Sequence, residues 1–236
     1  MATDAYVMPL WRFLADDFAT PLEAAFGAIT IVTSGETTVR KRPSRVGFLR
    51  RYTARRRARS IVRASERAAG TLLRWRDEGE VIYSNQFRSG DTIRSYLWWL
   101  DRKDLLPEPV NSPPPHEALA AFWQCGRERP QNFPHLQTNN YWNGLFLPVD
   151  FPCPVLIDKE RNHFGETVGR PICSPVVALR EVERVTLGLP APEDYMDAWE
   201  RYGDSDAWVG VKMAFHHLRT ILRHSIASGL PAIFWG

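Results

Sequence analysis

The chain has 236 residues, of which 44% are hydrophobic and 24% charged, a composition that supports one large or two small domains and excludes wholesale disorder. Three widely spaced cysteines, Cys125, Cys153 and Cys173, exclude a dense disulfide framework, and no apolar run approaches the roughly 18 residues that cross a bilayer, so a cytoplasmic protein without a classical secretory signal is expected. The net charge of +3 hides an asymmetry: residues 40–76 hold fourteen basic side chains against Glu66 alone, a net +13, and the remainder therefore carries −10.

In chain order, Tyr6 to Phe26 mixes apolar and acidic positions at near-helical spacing and predicts a helix. The β-branched run Ala28 to Thr33 predicts a strand that stops at Ser34-Gly35. A long helical pattern extends from about Phe48 to Arg76, with Gly79 as its stop. Glu80 to Ser84 reads as a short strand, and Ser89-Gly90-Asp91 introduces a helix carrying Ile93, Tyr96, Leu97 and Leu100. Five prolines between Pro107 and Pro115 can neither continue a helix nor pair well in a sheet. That segment is the candidate linker between subdomains 1–106 and 116–236 of what is otherwise one compact unit.

Beyond it, Glu117 to Cys125 suits a helix, and the Asn143-Gly144 pair within Tyr141 to Leu147 carries the signature of a two-residue hairpin turn. Val176 to Val185 suits a helix that stops near Leu187-Gly188. Asp206 to Ser228 is a stronger helix, with Val211, Ala214, Phe215, Leu218, Ile221, Leu222 and Ser225 on one face and Gly229 as its C′ residue. Pro231 to Trp235 reads as an apolar terminal strand. The pattern defines an α+β fold of long amphipathic helices packed on a small, largely antiparallel sheet.

The charge asymmetry centres on the long helix. At 100° per residue, Ala58, Ile61, Val62, Ser65, Ala68, Ala69, Leu72 and Leu73 form one apolar stripe. On the opposite side Arg56, Arg59, Arg63, Arg67 and Arg74 fall within about 80°. Guanidinium groups present fixed forks of donors that match phosphate oxygens, so such a ridge suits a polyanion, either nucleic acid or an acidic protein. A solvated face neutralised by the rest of the chain is the alternative.

Signals for chemistry are weak. The sequence contains no GxSxG elbow, phosphate-binding Walker loop, HExxH or zinc-binding cysteine set, so neither metal nor cofactor is expected. His217 and His224 are seven residues apart on one helix, about 10.5 Å along its axis, too far to share a metal, and read as partly buried structural groups. His116 and His135 flank Cys125, but no activating turn accompanies them. Asp150, bracketed by Pro148 and Pro152, is an acid placed for partial burial and the candidate functional acid, with capping of a turn or pairing with Arg170 or Arg180 as the alternative.

The stretch Asn139 to Pro152, with Leu147-Pro148-Val149-Asp150-Phe151 at its centre, resembles the Tyr-Leu-Pro-Val-Asp-Phe segment of a group of uncharacterised bacterial proteins. In those proteins a Gly-Ser-containing turn and a C-terminal helical region follow, and Gly169 to Ser174 with the later helices occupy comparable places here. Where the relatives often carry His, Asp and Cys before the hairpin, this chain has Gln137, Asn140 and Tyr141. The resemblance implies no established activity. The sequence as a whole points to a non-catalytic binding protein that engages a polyanion. An immunity-type protein that neutralises a toxin, or a hydrolase centred near Asp150, are the alternatives.

Overall fold

In the computed structural model, which describes residues 3–18, 28–33, 36–41, 46–73, 75, 77–87, 90–102, 132–139, 141, 144–161, 167–186 and 209–235, side chains along the strands alternate between two separate cores. Ala5, Val7, Phe146, Cys173, Ala232 and Phe234 enter one, while Met8, Leu145, Ile172 and Ile233 enter the other. A sheet buried on both faces follows directly.

The sheet has six strands: β1 (Thr3–Val7), β4 (Tyr83–Phe87), β5 (Leu145–Phe146), β6 (Val155–Arg161), β7 (Thr167–Cys173) and β8 (Ala232–Trp235), in the order β4-β1-β8-β5-β7-β6. All neighbours pair antiparallel except β5 and β7. The fold is α+β and its sheet largely antiparallel, as the sequence predicts. The terminal strand β8 docks between β1 and β5, so strands from both sides of the proline-rich segment share one sheet. The segment itself, like the predicted helix from Glu117 to Cys125, lies outside the described residues. A separate two-stranded sheet joins β2 (Ala28–Thr33) to β3 (Glu36–Lys41), with Thr33 facing Glu36.

Helices cover both faces. α1 (Leu10–Leu14) and α2 (Phe48–Ala69) pack on one, with α2 contacting β6; α3 (Gly90–Arg102), α4 (Pro134–Thr138), α5 (Pro175–Thr186) and α6 (Val209–Ser228) pack on the other. α6 is the backbone of that second core. Val211, Ala214, Phe215, Leu218, Ile221, Leu222 and Ser225 are all buried, and Gly229 ends the helix at φ 67°. Each large apolar side chain so buried contributes about 1.5–3 kcal/mol.

Three predicted elements are corrected. The helix expected from Tyr6 begins instead as β1, because Ala5 and Val7 alternate with Tyr6 at period two. Pro9 then starts the five-residue α1, whose Leu10 and Trp11 amides donate to Asp77 at 2.6 and 3.3 Å. The long helix stops at Ala69, where Gly70 adopts the left-handed conformation at φ 67°, rather than running to Arg76. Leu72, beyond that stop, is therefore 68% exposed, whereas Leu73 is buried. The strand expected to pair back across Asn143-Gly144 pairs otherwise: Leu145 and Phe146 form a two-residue strand between β7 and β8, neither of which is its neighbour in sequence, while Asn143 itself lies outside the described residues.

Candidate functional site

The arginine-rich helix α2 is anchored by three small residues and one isoleucine. Ala54, Ala58, Ile61 and Ser65 are buried against α1 and β6, and the Ser65 hydroxyl donates to the Ile61 carbonyl at 2.9 Å. Beyond the Gly70 cap, the Leu73 amide donates to Glu66 at 3.2 Å and fixes the reversal of the chain. The flank facing α1 uses two arginines: Arg55 lies over the Trp11 ring at 4.9 Å, and Arg50 pairs with Asp16.

Opposite the buried stripe stand Arg56, Arg59, Arg63 and Arg67, all exposed, and none in an ion pair among the described residues. The predicted ridge is thus brought together over these four positions, while Arg74 lies outside the described residues. Four i,i+4 arginine pairs, Arg51/Arg55, Arg55/Arg59, Arg59/Arg63 and Arg63/Arg67, repel one another by about 0.2–0.5 kcal/mol each. The ridge works against the helix that carries it. The same outer face continues toward the helix N-terminus with Phe48, Leu49 and Tyr52, which are 81%, 77% and 60% exposed. Sequence reasoning missed these three, although the rotation that defined the ridge places them beside it.

The other candidates that lie among the described residues have the following surroundings. Asp150 is exposed rather than partly buried, and accepts from Arg180 at 3.0 Å. β5 ends at Phe146, and a tight turn closed by the Val149 amide on the Leu147 carbonyl carries Asp150 outward. His135 is buried with both ring nitrogens engaged: Nδ1 accepts from the Ser174 amide at 2.9 Å, so Nε2 carries the proton and donates to the Pro152 carbonyl at 3.2 Å. Its would-be partners Cys125 and His116 lie outside the described residues. Cys173 is fully buried, which pushes its thiol far above the ordinary range. His217 is buried and shares a 2.6 Å hydrogen bond with the Tyr83 hydroxyl, and burial lowers its pKa to about 4. His224 is exposed, correcting the expectation of partial burial, and stacks on Tyr83 with ring centroids 5.3 Å apart. Among the described residues no three of His, Cys, Asp and Glu converge on a metal-sized point, and no helix is long and apolar enough to cross a membrane.

A buried acid elsewhere escaped the sequence reading. Glu181 of α5 is 3% exposed, and its two carboxylate oxygens accept from the amides of His135 and Leu136 at 3.1 and 2.9 Å. Burial raises its pKa to about 7, against the opposing pull of those two amides and of Arg184. The signal was present: Ala178, Glu181, Val182 and Val185 share one helical stripe, so an acid occupies an apolar position.

Fold and surface together define an α+β protein with one cationic helix face, unpaired among the described residues, and no metal-sized cluster of ligands among them. The chain belongs to the family described as "Putative DNA-mimic protein", whose model matches residues 1–234. No curated protein and no solved structure matches it significantly.

Proposed function

We propose that the chain is a non-catalytic binding protein that works by charge, with a DNA-binding protein as its partner and the α2 ridge as its own polyanion-binding site. Family membership supports the first half, since a DNA mimic takes the place of DNA on a protein that binds it. The observation that carries the whole reading is the segregation of charge: +13 within residues 40–76 and −10 elsewhere. The acidic remainder supplies the sign that a DNA-binding surface selects. A basic DNA site would repel α2, so Arg56, Arg59, Arg63 and Arg67 are left for an anion, either nucleic acid or an acidic protein surface. Neutralising a DNA-binding toxin by contact, the immunity-type role, is one instance of the same logic. No observation favours hydrolysis at Asp150, which is exposed and paired with Arg180.

Competition tests the first half. The chain is titrated into complexes of a short fluorescent duplex with purified basic DNA-binding proteins, and release of the duplex from at least one is expected; release from none refutes a mimic. Direct titration tests the second. If four phosphates are neutralised, duplex binding weakens about 150-fold between about 50 and 200 mM salt, from a log–log slope near −0.9 per phosphate. A salt-insensitive complex, or no binding to duplex, single strand or polyglutamate, removes the ridge as a polyanion site.

A further inference from the structure

We infer that the outer face of α2 is a site for a single strand of nucleic acid, in which Phe48 and Tyr52 stack on unpaired bases while Arg56, Arg59, Arg63 and Arg67 follow the phosphates. The inference rests on the polyanion half of the proposed function and names the anion.

Relative to Arg56, helical rotation places Phe48, Tyr52, Leu49, Arg59, Arg63 and Arg67 within a sector of about 100°, and they run along about 28 Å of axis. The buried Ala54, Ala58, Ile61 and Ser65 occupy the other side. Three large apolar side chains at 81%, 77% and 60% exposure within five residues are a concentrated hydrophobic patch on a helix whose core-facing positions, Ile61 apart, are small. Glu66, the acid at the edge of the sector, is half-buried and turned to the Leu73 amide, so it leaves the positive face intact.

The combination selects among anions. A duplex satisfies the arginines through its phosphates but keeps its bases stacked internally, so Phe48 and Tyr52 would meet only backbone. An acidic peptide satisfies the arginines and offers the aromatic rings no regular planar partner. A single strand supplies both: a phosphate line for the guanidiniums and exposed π-faces for the rings, the pairing by which single-strand binders work without base-specific motifs. Its phosphates complement the four arginines, which have no ion-pair partner among the described residues.

The test uses the full chain and three labelled probes, oligo(dT), a duplex of matched length and polyglutamate, read by fluorescence anisotropy. Oligo(dT) binds tightest. Phe48→Ala/Tyr52→Ala weakens oligo(dT) roughly tenfold or more, from the usual worth of stacked bases, and leaves duplex binding unchanged, while Tyr52→Phe retains the strand affinity. Arg59→Gln/Arg63→Gln weakens every anion and makes the single-strand salt slope shallower by about 1.4. All these side chains are exposed, and thermal melts of the variants verify that they fold. If the aromatic double variant binds oligo(dT) like wild type, or duplex or polyglutamate binds as tightly as the strand, the single-strand site is overturned and the polyanion reading stands. If no probe binds, both fall. If sedimentation shows a wild-type dimer that Phe48→Ala/Tyr52→Ala dissolves, the patch is a self-contact and the inference is overturned.

Discussion

Glu181 should make the protein less stable as pH rises from 5 to 8, and Glu181→Gln should remove that loss. The carboxyl titrates near 4.5 in an unfolded chain and about 7 in the fold. Between those values the folded state holds a proton that the unfolded state has released. Stability is therefore fully present below pH 4.5 and falls as pH climbs toward 7, by about 3 kcal/mol at roughly 1.4 kcal/mol per unit. Glutamine keeps one acceptor oxygen for the Leu136 amide but turns an NH2 toward that of His135, losing about 1 kcal/mol of hydrogen bonding at every pH. The variant should thus be less stable than wild type near pH 4.5 by about 1 kcal/mol and more stable at pH 8 by about 2 kcal/mol, the difference of these two effects. Urea unfolding of both proteins across this range measures the difference, and the contributions of His135 and His217 cancel in it to first order. A difference that keeps one sign and size throughout would refute the buried, proton-binding carboxyl.

His217 acts in the opposite direction: its folded pKa of about 4 lies below the ordinary 6.5, so stability is present above pH 6.5 and is lost as pH falls toward 4. His217→Gln should lessen that acid sensitivity in urea midpoints taken at successive pH values, and an undiminished acid loss would contradict it. Gly229→Ala places a Cβ at φ 67°, which costs about 1 kcal/mol and lowers Tm by about 2–4 °C; a raised Tm in calorimetry would show that the α6 cap is wrongly described. Asp150→Asn breaks an exposed pair with Arg180 and should shift stability by less than about 1 kcal/mol, whereas a large loss would reveal a buried role for this acid.

Legibility in the sequence followed the range of the interactions. α6 was readable because six apolar residues, a serine on the same face and a terminal glycine encode it locally, and the same periodicity separated the buried Ala58, Ile61 and Ser65 from the exposed arginines of α2. Local reasoning failed where a competing local signal won, as when Gly70 rather than Gly79 ended α2. It failed more broadly where partners are remote. β1 is a strand because β4 and β8 flank it, and β5 consists of two residues that only β7 and β8 make a strand. Two of the histidines and Glu181 belong to that second class: their partners, Ser174, Tyr83 and the α4 amides, come from other elements. The ridge of the candidate site was legible from rotation alone. Its aromatic extension went unseen because apolar residues in a helix are read by default as core, whereas Phe48, Leu49 and Tyr52 face outward.

The charge on the outer face of α2 is tested most directly by replacing Arg56, Arg59, Arg63 and Arg67 together with glutamine and measuring oligonucleotide affinity and stability on the same preparation. The account predicts that binding is lost with its salt dependence, a slope of about −2.8 for four phosphates on a single strand. It also predicts that the fold gains about 1 kcal/mol, because the like-charge i,i+4 contacts along the ridge disappear. A variant that binds the oligonucleotide as tightly as wild type, with the same salt slope, would contradict it.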